Sequence, residues 1–146
     1  LTKKRTGDPW IPGPEYGRLL KGLTVNLIVR DVAAALPFYT DVLELRLHYN
    51  DPDFAALEGE DGVRVTLHAD HTYDGQPEAG RLATPGKRGT GAEIRLMGLD
   101  ADEVEGRARA LGFVVTVPAF IPGHRWRECR LEDRDGYMFA VGKPVP

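Results

Sequence analysis

LEGEDGVRVTL (residues 57–67) and LEDRDGYMFAV (residues 131–141) are one pattern written twice. Each places Leu-Glu ahead of a charged Asp-Gly turn and follows the turn with apolar residues at every second position. Asp-Gly between alternating stretches is a tight-hairpin signal, because glycine takes positive φ freely and aspartate tolerates it. The alternation itself has the period of a strand with one buried face. Working backward, VNLIVRD (25–31) lies over IRLMGLD (94–100) at an offset of 69, whereas the two turns are offset by 74. The extra residues fall around VPAFIPGHR, where Pro118, Pro122 and Gly123 permit a longer loop.

The elements of each half follow from local chemistry. LTVNLIV (23–29) is rich in β-branched residues and predicts a strand. Asp31 stands at a helix N-cap position, and Val32, Ala35, Leu36, Tyr39, Val42 and Leu43 recur at helical spacing. Pro37 lies inside that stripe and predicts a bend. Strands are expected at 44–49, 53–58 and 62–68. In the second half EIRLMGL (93–99) is strand-like, and Asp100 with Glu103 makes a capping-box start. Val104, Ala108 and Leu111 form the apolar stripe of a short helix that Gly112 ends, and strands follow at 113–117, 125–131 and 136–142.

Each half is therefore βαβββ. The expected organisation is an irregular arm (1–20), a first module (21–69), a Gly/Pro-rich linker (70–91) and a second module (92–146), one domain overall. The fold class is α+β. One helix cannot cover both faces of a four-stranded sheet, so tandem modules should form a curved mixed sheet with helices outside and a concave pocket within.

Composition removes several function classes. A net charge of −3 gives no electrostatic footprint for nucleic acid or an anionic membrane. No run is long and apolar enough for a membrane span, and no signal-peptide pattern opens the sequence. The one cysteine, Cys129, excludes an intramolecular disulfide and a multi-cysteine zinc site, and its place in a strand predicts a buried thiol. A reducing cytoplasm is the expected compartment.

Strand parity sorts the candidate site residues. If Val25, Leu27 and Val29 pack in the core, then Thr24, Asn26 and Ile28 face the hollow. The same logic turns Arg64, Thr66 and His68 inward from the last strand of the first half, and Glu93, Arg95 and Met97 inward from the first strand of the second. Met138 and Ala140 follow from the closing strand, and Trp126, Glu128 and Arg130 from the one before it. Arg95 or Arg130 could hold a ligand carboxylate or phosphate, Glu93 an amine or hydroxyl, and Trp126 with Met138 an apolar wall. His68, with a pKa near neutrality, suits proton transfer or hydrogen bonding at the pocket rim.

LTVNLIVRDVAAALPFYTDVLEL (23–45) and DRDGYMFAV (133–141) resemble the vicinal oxygen chelate superfamily, which contains glyoxalase I, bleomycin-resistance proteins and extradiol dioxygenases. Glu44 replaces the family's usual glycine, and Arg134 its proline in Asp-Pro-Asp-Gly. The resemblance spans about residues 22–143 and implies a four-position metal site, which falls here on Thr24, Thr66, Glu93 and Ala140. Threonine hydroxyls are poor ligands and alanine offers none, so no metal and no cofactor is expected. The reading this supports is a bleomycin-resistance-like protein, expected to be a homodimer, that binds a small organic molecule such as an antibiotic or other natural product. The alternatives are a degenerate member whose cavity its own side chains fill, and an enzyme of the superfamily, a lyase, isomerase or dioxygenase. The enzyme would use an atypical metal site or metal-free acid–base catalysis by Glu93 and His68.

Overall fold

The computed structural model describes residues 2–146, and these divide into two compact units. The first unit comprises the chain up to Ala34 together with Leu45–Thr84, and the second comprises Ala35–Glu44 with Pro85–Pro146.

In the first unit, β1 (Val25–Val29), β2 (Arg46–Asn50), β3 (Phe54–Glu58) and β4 (Arg64–Ala69) form one sheet in the order β1-β4-β3-β2. β1 runs parallel to β4, and the other pairings are antiparallel. Asp61 (φ 56°) and Gly62 (φ 77°) both take left-handed backbone at the turn between β3 and β4, as the Asp-Gly signal requires. Register sets the faces. Asn26 pairs with Thr66 and Thr66 with Ala56, while His68 pairs with Phe54. These residues share one face. Leu27, Leu67, Ala55, Val65 and Leu57 occupy the other, and all five are buried.

The N-terminal arm holds a helix that its Gly/Pro density conceals: α1 (Gly13–Leu19), with Pro14 in its first turn. Proline is tolerated there because its missing N–H would have no helical partner anyway and its φ is already helical.

The helix begun at Asp31 is α2 (Val32–Pro37), started by the Asp31 carboxylate accepting from Ala34 N at 2.9 Å. Past Pro37 the winding loosens to a π-type turn over Phe38–Val42. Residues Ala35–Glu44 are built into the second unit, although in sequence they belong to the first repeat. The reason is aromatic packing. Phe38 meets Phe113 at 5.3 Å and Phe139 at 5.2 Å between ring centroids, and Arg107 donates twice to the Val42 carbonyl.

The second sheet repeats the first. β5 (Glu93–Met97), β6 (Val114–Phe120), β7 (Trp126–Glu132) and β8 (Met138–Pro144) stand in the order β5-β8-β7-β6, with β5 parallel to β8. α4 (Ala101–Ala110) packs on β6, β7 and β8, capped by Asp100, whose carboxylate accepts from Glu103 N at 3.1 Å. α3 (Ala79–Leu82) and a short 3-10 turn at Asp70–Tyr73 interrupt the linker. Among the described residues no helix is long and apolar enough to cross a membrane.

The second turn is built differently from the first. Asp133 stands where the first repeat has Gly59. Its Oδ1 accepts from the backbone N–H groups of Asp135 and Tyr137, and its Oδ2 accepts from the Tyr39 hydroxyl at 2.5 Å. Burial pushes the Asp133 carboxyl above its ordinary range, against the hydrogen bonds from Tyr39 and Tyr137, and burial with the Asp133 charge raises the Tyr39 phenol well above its own. Cys129 is buried as expected, and burial pushes its thiol up to about 11, so it is no nucleophile at neutral pH.

Candidate functional site

The polar face of the first sheet is roofed by the N-terminal arm. Asp53, in the turn leading into β3, fastens it. Its carboxylate accepts from Lys4 N at 2.7 Å, Arg5 N at 3.2 Å and His71 Nε2 at 2.6 Å, and the Arg5 guanidinium lies 3.8 Å away. Burial works against ionisation of Asp53. The hydrogen bonds from His71, Lys4 and Arg5 outweigh it and hold the carboxyl below its ordinary value. Asp51 is equally occupied: Oδ1 accepts from Asp53 N and Phe54 N, and Oδ2 from the Tyr49 hydroxyl at 2.6 Å.

Between arm and sheet lies a cavity of about 520 Å³. That is the size of a small-molecule pocket. Its walls are mostly rings. Trp10 stacks on Tyr49 (5.6 Å between centroids, 9° between planes), and Tyr16 of α1 meets Phe54 edge-on at 5.5 Å. Phe54 lies 4.9 Å from His68, and Tyr73 is edge-on to His68 at 6.4 Å. Aromatic pairs of this geometry contribute about 0.5–1.5 kcal/mol each beyond their buried area.

His68 is oriented from behind. Asn26 Oδ1 accepts from His68 Nδ1 at 2.5 Å and from the Thr66 hydroxyl at 2.7 Å, while Asn26 Nδ2 donates to the Tyr73 hydroxyl at 3.2 Å. Because a carbonyl oxygen can only accept, the imidazole proton sits on Nδ1. Burial lowers the His68 pKa from its ordinary value, against a weaker pull from Asp51, so the ring is neutral at neutral pH and keeps Nε2 as an acceptor.

Of the residues that strand parity turns inward in the first half, His68 lines this cavity, and Asn26 and Thr66 position it. Arg64 shares their face; burial raises the Tyr16 phenol above its ordinary value, against the charge of Arg64. Thr24 precedes β1. Sequence reading missed the roof and the ring wall, namely Trp10, Tyr16, Tyr49, Phe54 and Tyr73, and also the cations Lys3 and Arg5. One signal was available: Trp10 and Tyr16 are large rings in a segment whose prolines and glycines otherwise read as solvent-exposed chain.

In the second unit Glu93, Arg95, Trp126, Glu128 and Arg130 do come together, and they satisfy one another. Glu128 is 1% exposed; its carboxylate accepts from Trp126 Nε1 at 2.9 Å and Arg130 Nε at 3.2 Å and pairs with His124 at 3.2 Å. Glu93 sits 3.3 Å from Arg95 and 4.0 Å from Arg130. The Arg95 guanidinium lies over the Trp126 ring and that of Arg130 over Phe120, each at 5.4 Å. Met138 is half-buried and pairs in register with Glu93.

The four positions that the resemblance assigns to a metal do not fit one. The Thr66 hydroxyl is spent on Asn26, Thr24 offers a neutral hydroxyl, Ala140 has no donor, and Glu93 is ion-paired. Among the described residues no three or more His, Cys, Asp or Glu are grouped to hold an ion.

Residues 23–141 match the model of the Glyoxalase/Bleomycin resistance protein/Dioxygenase superfamily. The fold is similar to a glyoxalase/bleomycin resistance protein/dioxygenase family enzyme from Burkholderia phytofirmans PsJN, at 18% identity and TM-score 0.68, covering 84% of this chain and 97% of that one. It is also similar to a member of the superfamily from Sphaerobacter thermophilus DSM 20745, at 24% identity and TM-score 0.61, covering 84% and 98%. A superfamily protein from Nocardioides matches at 21% identity and TM-score 0.63, covering 91% and 94%. No curated protein matches the sequence.

Proposed function

This chain belongs to the glyoxalase/bleomycin resistance protein/dioxygenase superfamily, and within it we propose that it binds a small organic molecule in the arm-roofed cavity of its first unit, without the family's metal. The observation that carries this is the ring-walled space of about 520 Å³ beneath Trp10 and Tyr16. Rings lose little conformational entropy on binding and offer flat faces, so the favoured ligand is a molecule with one or two fused aromatic rings. Neutral His68 adds one fixed acceptor for a ligand hydroxyl or amide N–H. An antibiotic or other natural product of that size falls within this class. The protein works as a homodimer in this reading; a single species of about 16 kDa by light scattering would contradict that part.

The test is thermal denaturation in the presence of a panel of mono- and bicyclic aromatic compounds. A ligand at about a hundred times its Kd adds about 2.7 kcal/mol to the native state, and so raises the melting temperature by several degrees. The expected result is a rise in the natural chain that disappears in Trp10→Ala. Panel members that stabilise Trp10→Ala equally, or a panel that stabilises neither protein, would defeat the proposal.

A further inference from the structure

The polar groups around the cavity are unevenly spent, and the imbalance has a sign. Its two carboxylates are each engaged by three of the protein's own donors. Asp51 takes three hydrogen bonds from Tyr49, Asp53 and Phe54. Asp53 takes three from Lys4, Arg5 and His71. A ligand ammonium group would have to compete with these donors, and at Asp53 with the fastening of the arm. The two cations on the same wall are in the opposite condition. Arg5 Nε is buried and has no hydrogen-bond partner among the described residues, although the far end of the same guanidinium lies 3.8 Å from Asp53. Lys3, also on the wall, has no ion-pair partner among the described residues.

A buried donor left without an acceptor costs about 1–3 kcal/mol, and a charged donor costs more. What distinguishes Arg5 is its place: its guanidinium stands on the cavity wall with its nearest carboxylate 3.8 Å away, and so can donate to an anion in the cavity. Resting on the cavity reading above, we infer that the ligand is an aromatic anion: its ring lies among Trp10, Tyr49 and Phe54, and its carboxylate or phenolate oxygen supplies the acceptor missing at Arg5, with Lys3 adding charge. Charge-assisted hydrogen bonds of this kind are roughly twice as strong as neutral ones. The arm thereby does two things at once. Its backbone N–H groups at Lys4 and Arg5 bind Asp53, and the Arg5 side chain reads the ligand's charge.

The experiment compares three probes of one ring size by isothermal titration calorimetry: 2-naphthoate, 2-naphthalenemethanol and protonated 2-naphthylmethylamine. The expected order is naphthoate at least tenfold tighter than the alcohol, with the ammonium compound weakest. Arg5→Met keeps the aliphatic stem and the backbone N–H to Asp53 while removing the donor. It should bring naphthoate to within about twofold of the alcohol, the ratio of the two affinities within the variant being the quantity read. Arg5→Lys, which restores the charge without the Nε geometry, should recover part of the difference, and the melting temperatures of both variants check that the chain remains folded. An ammonium compound that binds tightest, or a naphthoate affinity indifferent to Arg5→Met, would overturn the assigned charge while leaving the cavity reading intact. Failure of all three probes to bind would overturn both.

Discussion

Strand for strand the two sheets are copies: the same order, the same parallel pair at one edge and the same hairpins. Their polar faces have gone opposite ways. The first is bare of charge pairs at its centre, roofed by α1 and walled with rings around a cavity. The second is filled by Glu93, Arg95, Glu128 and Arg130, which neutralise one another against Trp126 and Phe120. Matched positions show how little was needed. Where β4 has His68, β8 has Gly142; where β4 has Thr66, β8 has Ala140. Topology decides which side chains share a face. Whether that face is a cavity depends on the volume and charge at three or four positions, and on whether another segment covers it.

The comparison can be broken most severely at Gly142. A Cβ there would overlap the Arg127 carbonyl oxygen on β7, whereas His68 stands at the matched point of β4. Gly142→Ala is expected to cost about 3 kcal/mol, since backbone rather than a side-chain tip must move, and chemical denaturation would read it. A loss below about 0.5 kcal/mol would mean that β7 and β8 are not packed this closely.

The turns come next. Tyr39→Phe removes the hydrogen bond to buried Asp133 and is expected to destabilise the protein by about 1–3 kcal/mol. Gly59 holds the matched place in the first turn and has no such partner to lose. The sign of the pH dependence follows from the raised Asp133 pKa. A buried acid held above its unfolded value is best tolerated protonated, so the penalty of Tyr39→Phe should shrink as pH falls through the Asp133 value. A penalty independent of pH would show that Asp133 is not the group left exposed to the change.

The smallest effect concerns the arm. Asp53 is held below its ordinary pKa of 3.8, so its contribution is complete above that unfolded value and is lost as pH falls through the lower, folded one. Hydrogen-exchange protection of the Lys4 and Arg5 amides should therefore persist from neutrality past the ordinary aspartate value of 3.8 and be lost only as pH falls further, through the lower folded value. Protection lost already at pH 6 would mean that something other than Asp53 holds the arm.

Much of this frame was legible in the sequence. The strands, both aspartate-capped helices, the Asp-Gly turn and the face shared by Asn26, Thr66 and His68 follow from local periodicity, because a strand's pleat and a helix's cap are set by neighbours in sequence. Glu128 illustrates the limit. A carboxylate on a strand reads as solvated or pocket-facing, yet two donors, Trp126 and Arg130, with His124 3.2 Å away, permit it to be almost wholly buried. The arm illustrates it more sharply. Its fastening joins residues 48 and 49 positions apart, and its helix hides among prolines and glycines, so no local pattern announced the roof or the rings beneath it. His68 was found because parity alone places it. Trp10, Tyr16 and Arg5 were not, because only a long-range contact does.

The claim at the centre of this account is that the first sheet binds its ligand only under the arm. Calorimetric titration of 2-naphthoate into the full chain and into a chain lacking residues 1–20 tests it directly. The account predicts one equivalent bound by the full chain and at least a tenfold loss of affinity on truncation, with cooperative unfolding retained. Equal affinity in the two proteins would contradict it.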